Sequence, residues 1–359
     1  MKPSFCAIAN RQAGEDLIGT AGHYQAYVLI ECPRPWAAKV FKSENIPTNL
    51  RSYVKAVKAE RSIQFLAINR GDLSAIEAIT VMVYEKRVPS AIASPQKEAA
   101  STASTEAASV KPASTEPISI TGYRGYEFQV DTLDQVVDCL EAHWQGDRIG
   151  KPITQKDILI CTHGMRDKCC ARFGHTFFRE AAHSAQHGKL PNTRIWKVSH
   201  IGGHRFAPTA ISLPDGRYYG RLTIEALQAI VARSGSIEQI SAVYRGWGML
   251  PTPLQVLERQ LMQHRGWSWF DNAVSYRILA DKTLEKQKTR ELSVEVKGSH
   301  AVYRAKIVQD PKKTVYTKAS CSSIQVKSDA EVSTVSSVDI TPKTVSQASS
   351  NTPFKASSF

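Results

Sequence analysis

The chain has 359 residues, with 46 Lys and Arg against 33 Asp and Glu, giving a formal charge of +13 at pH 7. That length suits two domains, or one domain with a tail, and no apolar run is long enough to span a membrane. The excess positive charge is diffuse and partly C-terminal, with no recognition-helix or RNP-like pattern, which argues against nucleic acid and for attraction to acidic partners.

The opening stretch carries Asn10, Arg11, Glu15 and Asp16 where a signal-peptide core would be apolar, so the expectation is a cytoplasmic protein. Its seven cysteines, an odd number, then read as free thiols or metal ligands and not as a disulfide framework. Phe5-Cys6 through Gly19-Thr20 is a polar, turn-rich lead-in with no assignable chemistry. A strand is expected over Tyr27 to Ile30, closed by Glu31-Cys32-Pro33, then a helix over Leu50 to Ala59 and strands over Ile63 to Ile68 and Ile79 to Tyr84. Residues 89–117 are Ala, Ser, Thr, Pro and Glu with almost no large apolar side chain, the composition of a disordered insertion. Tyr126 to Val130 reads as a strand, and Leu133 to Trp144 as a helix with Leu133, Val136, Val137 and Leu140 on one face.

The second half repeats the order. A strand at Ile158 to Ile160 stops at Cys161, and a basic loop closes on Cys169 and Cys170. A helix over about 171–186 follows, and a strand from Ile195 to Val198 ends at His200. Thr209 to Leu213, the turn Pro214-Asp215-Gly216, Tyr218 to Leu222 and a helix capped by Thr223 complete it. Strand-helix-strand, then two strands and a helix, is the order of a thioredoxin-like unit, and Ala207-Pro208 stands where such units often place a cis-proline, with a plain strand-edge proline as the alternative. The fold class expected is therefore α/β: two thioredoxin-like units in tandem, 1–150 and 151–235, the first degenerate. A small α+β extension (236–327) and a disordered tail (328–359) follow. In the extension, a helix is expected over about Leu254 to Gln263, an aromatic cluster at Trp267, Trp269 and Phe270 for core packing or docking, and a hairpin over Leu292 to Val296 and Ala301 to Val308.

Three of the seven cysteines and six of the ten histidines fall within 158–204. A right-handed crossover brings the loops after two parallel strands side by side, so thiolates and imidazoles from both converge and a metal site is the leading reading. A zinc site uses the same donors, although the eight residues between Cys161 and Cys170 are loose for a zinc knuckle. Vicinal Cys169-Cys170 is a poor dithiol pair for thiol–disulfide chemistry, since a disulfide between neighbours is strained. Gly202 and Gly203 between His200 and His204 oppose a helical pair and let the backbone curl tightly. His163, His175, His183 and His187 are read as non-ligands, and Cys6, Cys32, Cys139 and Cys321 as small buried residues.

Cys161-Thr-His-Gly-Met-Arg-Asp-Lys-Cys-Cys170, His200-Ile-Gly-Gly-His204-Arg-Phe-Ala-Pro and Leu213-Pro-Asp-Gly-Arg-Tyr-Tyr-Gly-Arg-Leu222 resemble the sucrase/ferredoxin-like family, a thioredoxin-like ferredoxin group. The lead-in and Tyr244-Arg-Gly-Trp247 are similar to its bacterial members. The resemblance implies a [2Fe–2S] cluster held by Cys161, Cys170, His200 and His204, with Cys169 a departure from the usual residue before the second cysteine. Two neutral imidazoles in place of thiolates raise a cluster's potential and couple it to protons, as in Rieske centres. The function expected is one-electron transfer, an electron carrier more than an enzyme with its own substrate, with Arg166, Lys168, Arg172 and Arg205 steering an acidic redox partner. The alternative is a zinc-stabilised or metal-free interaction module. Nothing in the sequence supports sucrose hydrolysis by paired carboxylates.

Overall fold

A computed structural model describes residues 5–70, 78–87, 118–284, 289–298, 301–310, 316–318, 320–322, 325–327 and 332–342. The expected insertion at 89–117 lies outside these residues. In the first half the order is α1 (Cys6–Gln12), β1 (Ala26–Glu31), α2 (Thr48–Glu60), β2 (Ile63–Asn69), β3 (Ile79–Lys86), β4 (Ile118–Ile120), β5 (Tyr123–Val130), α3 (Val136–Gln145) and β6 (Lys151–Pro152). The second half has β7 (Lys156–Cys161), α4 (His175–Gln186), β8 (Thr193–Val198), β9 (Ala210–Leu213), β10 (Arg217–Tyr219), α5 (Ile224–Ala232), α6 (Ile237–Val243) and β11 (Tyr244–Trp247). Then come α7 (Thr252–Arg265), β12 (Val274–Leu284), β13 (Thr289–Lys297), β14 (Ala301–Asp310), β15 (Tyr316–Lys318), β16 (Gln325–Lys327) and β17 (Val332–Pro342).

The result is a mixed α/β molecule with one ten-stranded sheet, ordered β11-β10-β9-β7-β8-β2-β1-β3-β5-β6, and a five-stranded sheet, β17-β14-β13-β12-β4. In the large sheet β1/β2 and β7/β8 are parallel pairs joined through a helix, and each is flanked by an antiparallel hairpin partner. The halves meet where β2 and β8 pair antiparallel through Ile68↔Val198 and Asn69↔Lys197. That seam joins carboxyl end to carboxyl end, so the loops leaving both parallel pairs converge at the middle of the sheet.

Alternation sets the packing. Along β1, Tyr27 and Leu29 enter the larger core with Ile158 and Tyr218. Ala26, Val28 and Ile30 face a second core with Leu50 and Val54 of α2 and Val136 and Leu140 of α3. On β7, Asp157 is buried and held by Arg194 and Trp196, while the Tyr84 hydroxyl donates to its carboxylate. Register fixes which residues of the two halves are equivalent. Glu31↔Ile68 closes the first parallel pair as Cys161↔Val198 closes the second, so Glu31 and not Cys32 stands where Cys161 does.

Four further features depart from the sequence reading. The lead-in forms a short helix, α1. β11 carries the large sheet past residue 235. Strand β4, just after the insertion, joins β12 in the smaller sheet. Residues 332–342, read as part of the tail, pair with β14 along its length, because Val332, Val335, Val338 and Ile340 supply β-branched residues that a Ser/Thr-rich composition conceals. The aromatic cluster serves packing: Trp269 is buried and its Nε1 donates to Glu258 Oε1 at 2.8 Å. Among the described residues no helix is long and apolar enough to cross a membrane.

Candidate metal centre

Cys161 is the last residue of β7, and its backbone N–H donates to the Thr209 carbonyl at 3.0 Å, just after the cis Ala207–Pro208 bond. Cys170 opens a wide helical turn, Cys170–Gly174, that leads into α4. Gly174 in that turn packs directly on Cys161, and a Cβ there would overlap the Cys161 carbonyl oxygen. His200 follows β8, and His204 begins a single turn after Gly202 and Gly203, whose φ values of 78° and 69° lie in the left-handed region.

These elements bring three of the four expected ligands to one point. Cys161 Sγ lies 3.3 Å from Cys170 Sγ, and His200 Nδ1 lies 4.0 Å and 3.8 Å from the two sulfurs. Both thiols are buried, whereas the imidazole is half-buried. The hydrogen bond with Cys170, aided by His200, holds the Cys161 thiol well below its ordinary range against the opposing effect of burial. The same bond and burial push the Cys170 thiol up. His204 is adjacent without joining the trio. Its ring centroid is 5.3 Å from that of His200, while its Nδ1 faces Cys6 Sγ at 3.4 Å and Asp167 Oδ2 at 3.3 Å.

Cys169 is separate from the trio. Its sulfur lies 3.4 Å from Cys6 Sγ and 3.3 Å from Cys321 Sγ, with Asp167 beside them. Of the residues read as small and buried, Cys6 is buried and Cys321 is half-buried, and both are in contact with the site loop. Cys32 and Cys139 are buried in the second core.

His163 braces the centre without being free to bind. Its Nε2 meets the Ala37 carbonyl at 2.8 Å, and its Nδ1 accepts from the His200 backbone N–H at 3.2 Å, a pattern that fixes the neutral Nε2–H tautomer. His175 contacts Arg34, and His183 stacks on His187 along α4.

Arg245 is the residue that sequence reasoning left without a role. It is 2% exposed and bonds Thr20 Oγ1, the Thr20 carbonyl and the Gly202 carbonyl, directly under the histidine loop. No carboxylate lies within ion-pair distance of it among the described residues, and burial pushes its guanidinium down to about 10. A buried, unpaired cation favours negative charge nearby, and Cys161 is part of its electrostatic surroundings. The Thr162 and Thr209 hydroxyls, next to Cys161 in sequence and in pairing, are buried and lack a partner among the described residues. Of the four basic residues singled out, Arg166, Lys168 and Arg172 are exposed on the loop, but Arg205 is bonded to Glu15 at 2.7 Å. An open groove of about 890 Å³ beside the loop is lined by Phe5, Lys168, Arg172, Phe173, Thr176 and Arg179.

A family model described as Sucrase/ferredoxin-like matches residues 17–246. Two fungal proteins, each called Altered inheritance of mitochondria protein 32, are similar to this chain. The one from Clavispora lusitaniae is 36% identical over 104 residues, 27% of this chain and 37% of its own. The one from Meyerozyma guilliermondii is 32% identical over 102 residues, 26% of this chain and 36% of its own. The chain thus spans little more than a third of the length of these curated relatives, and they are fungal where the resemblance in sequence pointed to bacterial members. No solved structure matches.

Proposed function

Because this chain belongs to the sucrase/ferredoxin-like family, we propose that it is an electron-transfer protein whose second half, a thioredoxin-like unit in tandem with a degenerate one, holds a [2Fe–2S] cluster. Cys161 and Cys170 would supply the thiolates, and His200 and His204 the imidazoles. When bound, such a cluster supplies one-electron chemistry. The observation that carries this reading is the split in the donor set: two thiols in contact, with two imidazole rings side by side next to them. One tetrahedral ion needs four donors mutually within about 4 Å, whereas a two-iron group takes its ligands as two pairs. His204 standing outside the Cys161–Cys170–His200 trio leaves a single ion there one side chain short of four, which favours a group with more than one metal atom.

The remaining residues fit that role. Arg245 places a buried positive charge under the loop, which favours electron-rich thiolate ligation, and His163 holds the His200 backbone in place. The half-buried imidazoles form the side of the centre nearest solvent, where an electron would enter or leave. Exposed Arg166, Lys168 and Arg172, in the segment that carries Cys170, suit an acidic protein partner, whose approach they would accelerate at low salt.

Protein made with iron available and purified without air tests the reading. Two irons and two acid-labile sulfides per chain, with visible absorbance, are expected. A colourless protein holding one zinc would support the alternative, a zinc-stabilised interaction module. Seven free cysteines suit a reducing compartment, the cytoplasm in our reading. Cell fractionation that found the protein with mitochondria would overturn that placement.

A further inference from the structure

We propose that Cys6, Cys169, Cys321 and Asp167 form a second metal site, distinct in its donors from Cys161 and Cys170 but touching the first centre through His204, whose Nδ1 faces Cys6 and Asp167, and that it takes a single tetrahedral divalent ion of the zinc class. The three sulfurs lie 3.4, 3.3 and 3.7 Å apart in the pairs Cys6–Cys169, Cys169–Cys321 and Cys6–Cys321. Asp167 Oδ1 is 3.8 Å from Cys6 Sγ and 3.1 Å from Cys321 Sγ. Metal–sulfur bonds of about 2.3 Å in a tetrahedron set sulfur–sulfur separations of about 3.8 Å, so the four donors already stand near the corners that one such ion requires.

Packing alone does not account for this group. Three thiols in mutual contact cannot all be used by one disulfide. Asp167 is 6% exposed, and its carboxylate is aimed among the three sulfurs with the His204 ring at 3.3 Å from Oδ2 on its other side. Its orientation is fixed by the backbone N–H groups of Cys169, at 2.8 Å to Oδ1, and Cys321, at 3.1 Å to Oδ2. The Ala7 N–H also donates to Cys169 Sγ at 3.4 Å, a contact suited to a thiolate. The donors come from α1, from the loop before Cys170 and from the turn after β15. An ion there would tie the N-terminal helix and the C-terminal extension onto the loop that presents Cys170, coupling metal binding to folding. Cys6 and Cys321 both fall outside residues 17–246, so the family match does not supply this site.

The test uses the full chain carrying Cys161→Ser, which disables the first centre, titrated with Co²⁺ without air. One equivalent should bind with tetrahedral d–d bands and thiolate charge-transfer absorbance, and Zn²⁺ should displace it. Adding Cys321→Ser should weaken Co²⁺ binding beyond the roughly 100-fold that loss of a supporting residue costs. Adding Cys32→Ser, a thiol in the second core, should leave binding unchanged. Asp167→Asn, close to isosteric, provides a second variant, with binding at least about tenfold weaker expected. In the otherwise native chain, Cys321→Ser should leave the visible absorbance of the first centre intact. Absence of Co²⁺ uptake would overturn the proposal. So would uptake that Cys321→Ser and Asp167→Asn both leave unchanged, or a Cys6–Cys169 or Cys169–Cys321 disulfide in place of uptake. Because Co²⁺ is read with the first centre disabled, failure to find iron there would not alter the outcome.

Discussion

Cys169 and Cys170 are neighbours in the chain whose thiols enter different groups: Cys170 Sγ lies 3.3 Å from Cys161 Sγ, and Cys169 Sγ lies 3.4 Å from Cys6 Sγ. The turn that begins at Cys170 separates them. Cys170→Ser is therefore expected to abolish visible absorbance and bound iron, while Cys169→Ser retains both. Absorbance spectra and iron analysis of the two variants decide the matter, and the reverse result would reassign the second thiolate.

Exchanging an imidazole for a thiolate adds negative charge to the centre. His200→Cys or His204→Cys is expected to lower the reduction potential by on the order of 100 mV or more, in line with the gap between Rieske-type and all-cysteine clusters. A redox titration followed by visible absorbance measures this. Unchanged potentials in both variants would count against imidazole ligation.

Gly174 has no room for a methyl group. Its Cα faces the Cys161 carbonyl so closely that Gly174→Ala must move either the start of α4 or the end of β7. Overpacking of this kind costs typically about 1–3 kcal/mol, and here the displaced atoms belong to Cys161. Lower stability in urea together with reduced iron occupancy is the expected outcome. A variant with native stability and full occupancy would contradict the close approach.

A buried ion pair secures the extension to the large sheet. Arg217 Nη1 on β10 meets Glu258 Oε1 on α7 at 2.6 Å, with both side chains 3% exposed or less. Trp269 donates to the same carboxylate, and the guanidinium lies over the Trp247 and Phe270 rings. Glu258→Ala leaves an uncompensated buried cation, for which about 3–5 kcal/mol of destabilisation is expected. Equilibrium unfolding in urea gives the value.

Lys86 supplies a pH dependence with a definite sign. Burial brings its ammonium from 10.5 to about 8, and its Nζ lies 3.5 Å from His23 Nε2. Between those values the unfolded chain binds more protons here than the folded one, so stability from this group rises with pH across that window and is lost as pH falls through about 8. Lys86→Met should flatten this part of the curve and raise stability below it. Thermal unfolding of both proteins over roughly pH 7 to 10 reads the difference, and parallel curves would show that Lys86 is not the source.

The parts of this architecture that follow local pattern were legible in the sequence. Ile158 to Cys161 and Ile195 to His200 announced parallel strands ending in cysteine- and histidine-bearing loops, and of the two readings open for Pro208, cis-proline or plain strand-edge proline, the structure has the first. What escaped depended on distant chain segments. Cys6 and Cys321 meet although they are 315 positions apart, and no spacing in the sequence relates single cysteines so far separated. Arg245 looked like one more basic residue until its burial under Gly202 made it part of the centre. Strand β17 was hidden by its serines and threonines, because composition was weighed above the recurrence of Val and Ile.

The meeting of β2 and β8 has an implication for any attempt to work with half of this molecule. A fragment starting near residue 151 would leave the backbone of Lys197 and Val198 without its counterpart at Ile68 and Asn69, and it would take the Ala37 carbonyl away from His163. Such a piece would present a raw margin to other copies of itself, so truncation is a route to precipitate and not to a minimal carrier. The first half thus serves as the wall against which the loops of the second are set.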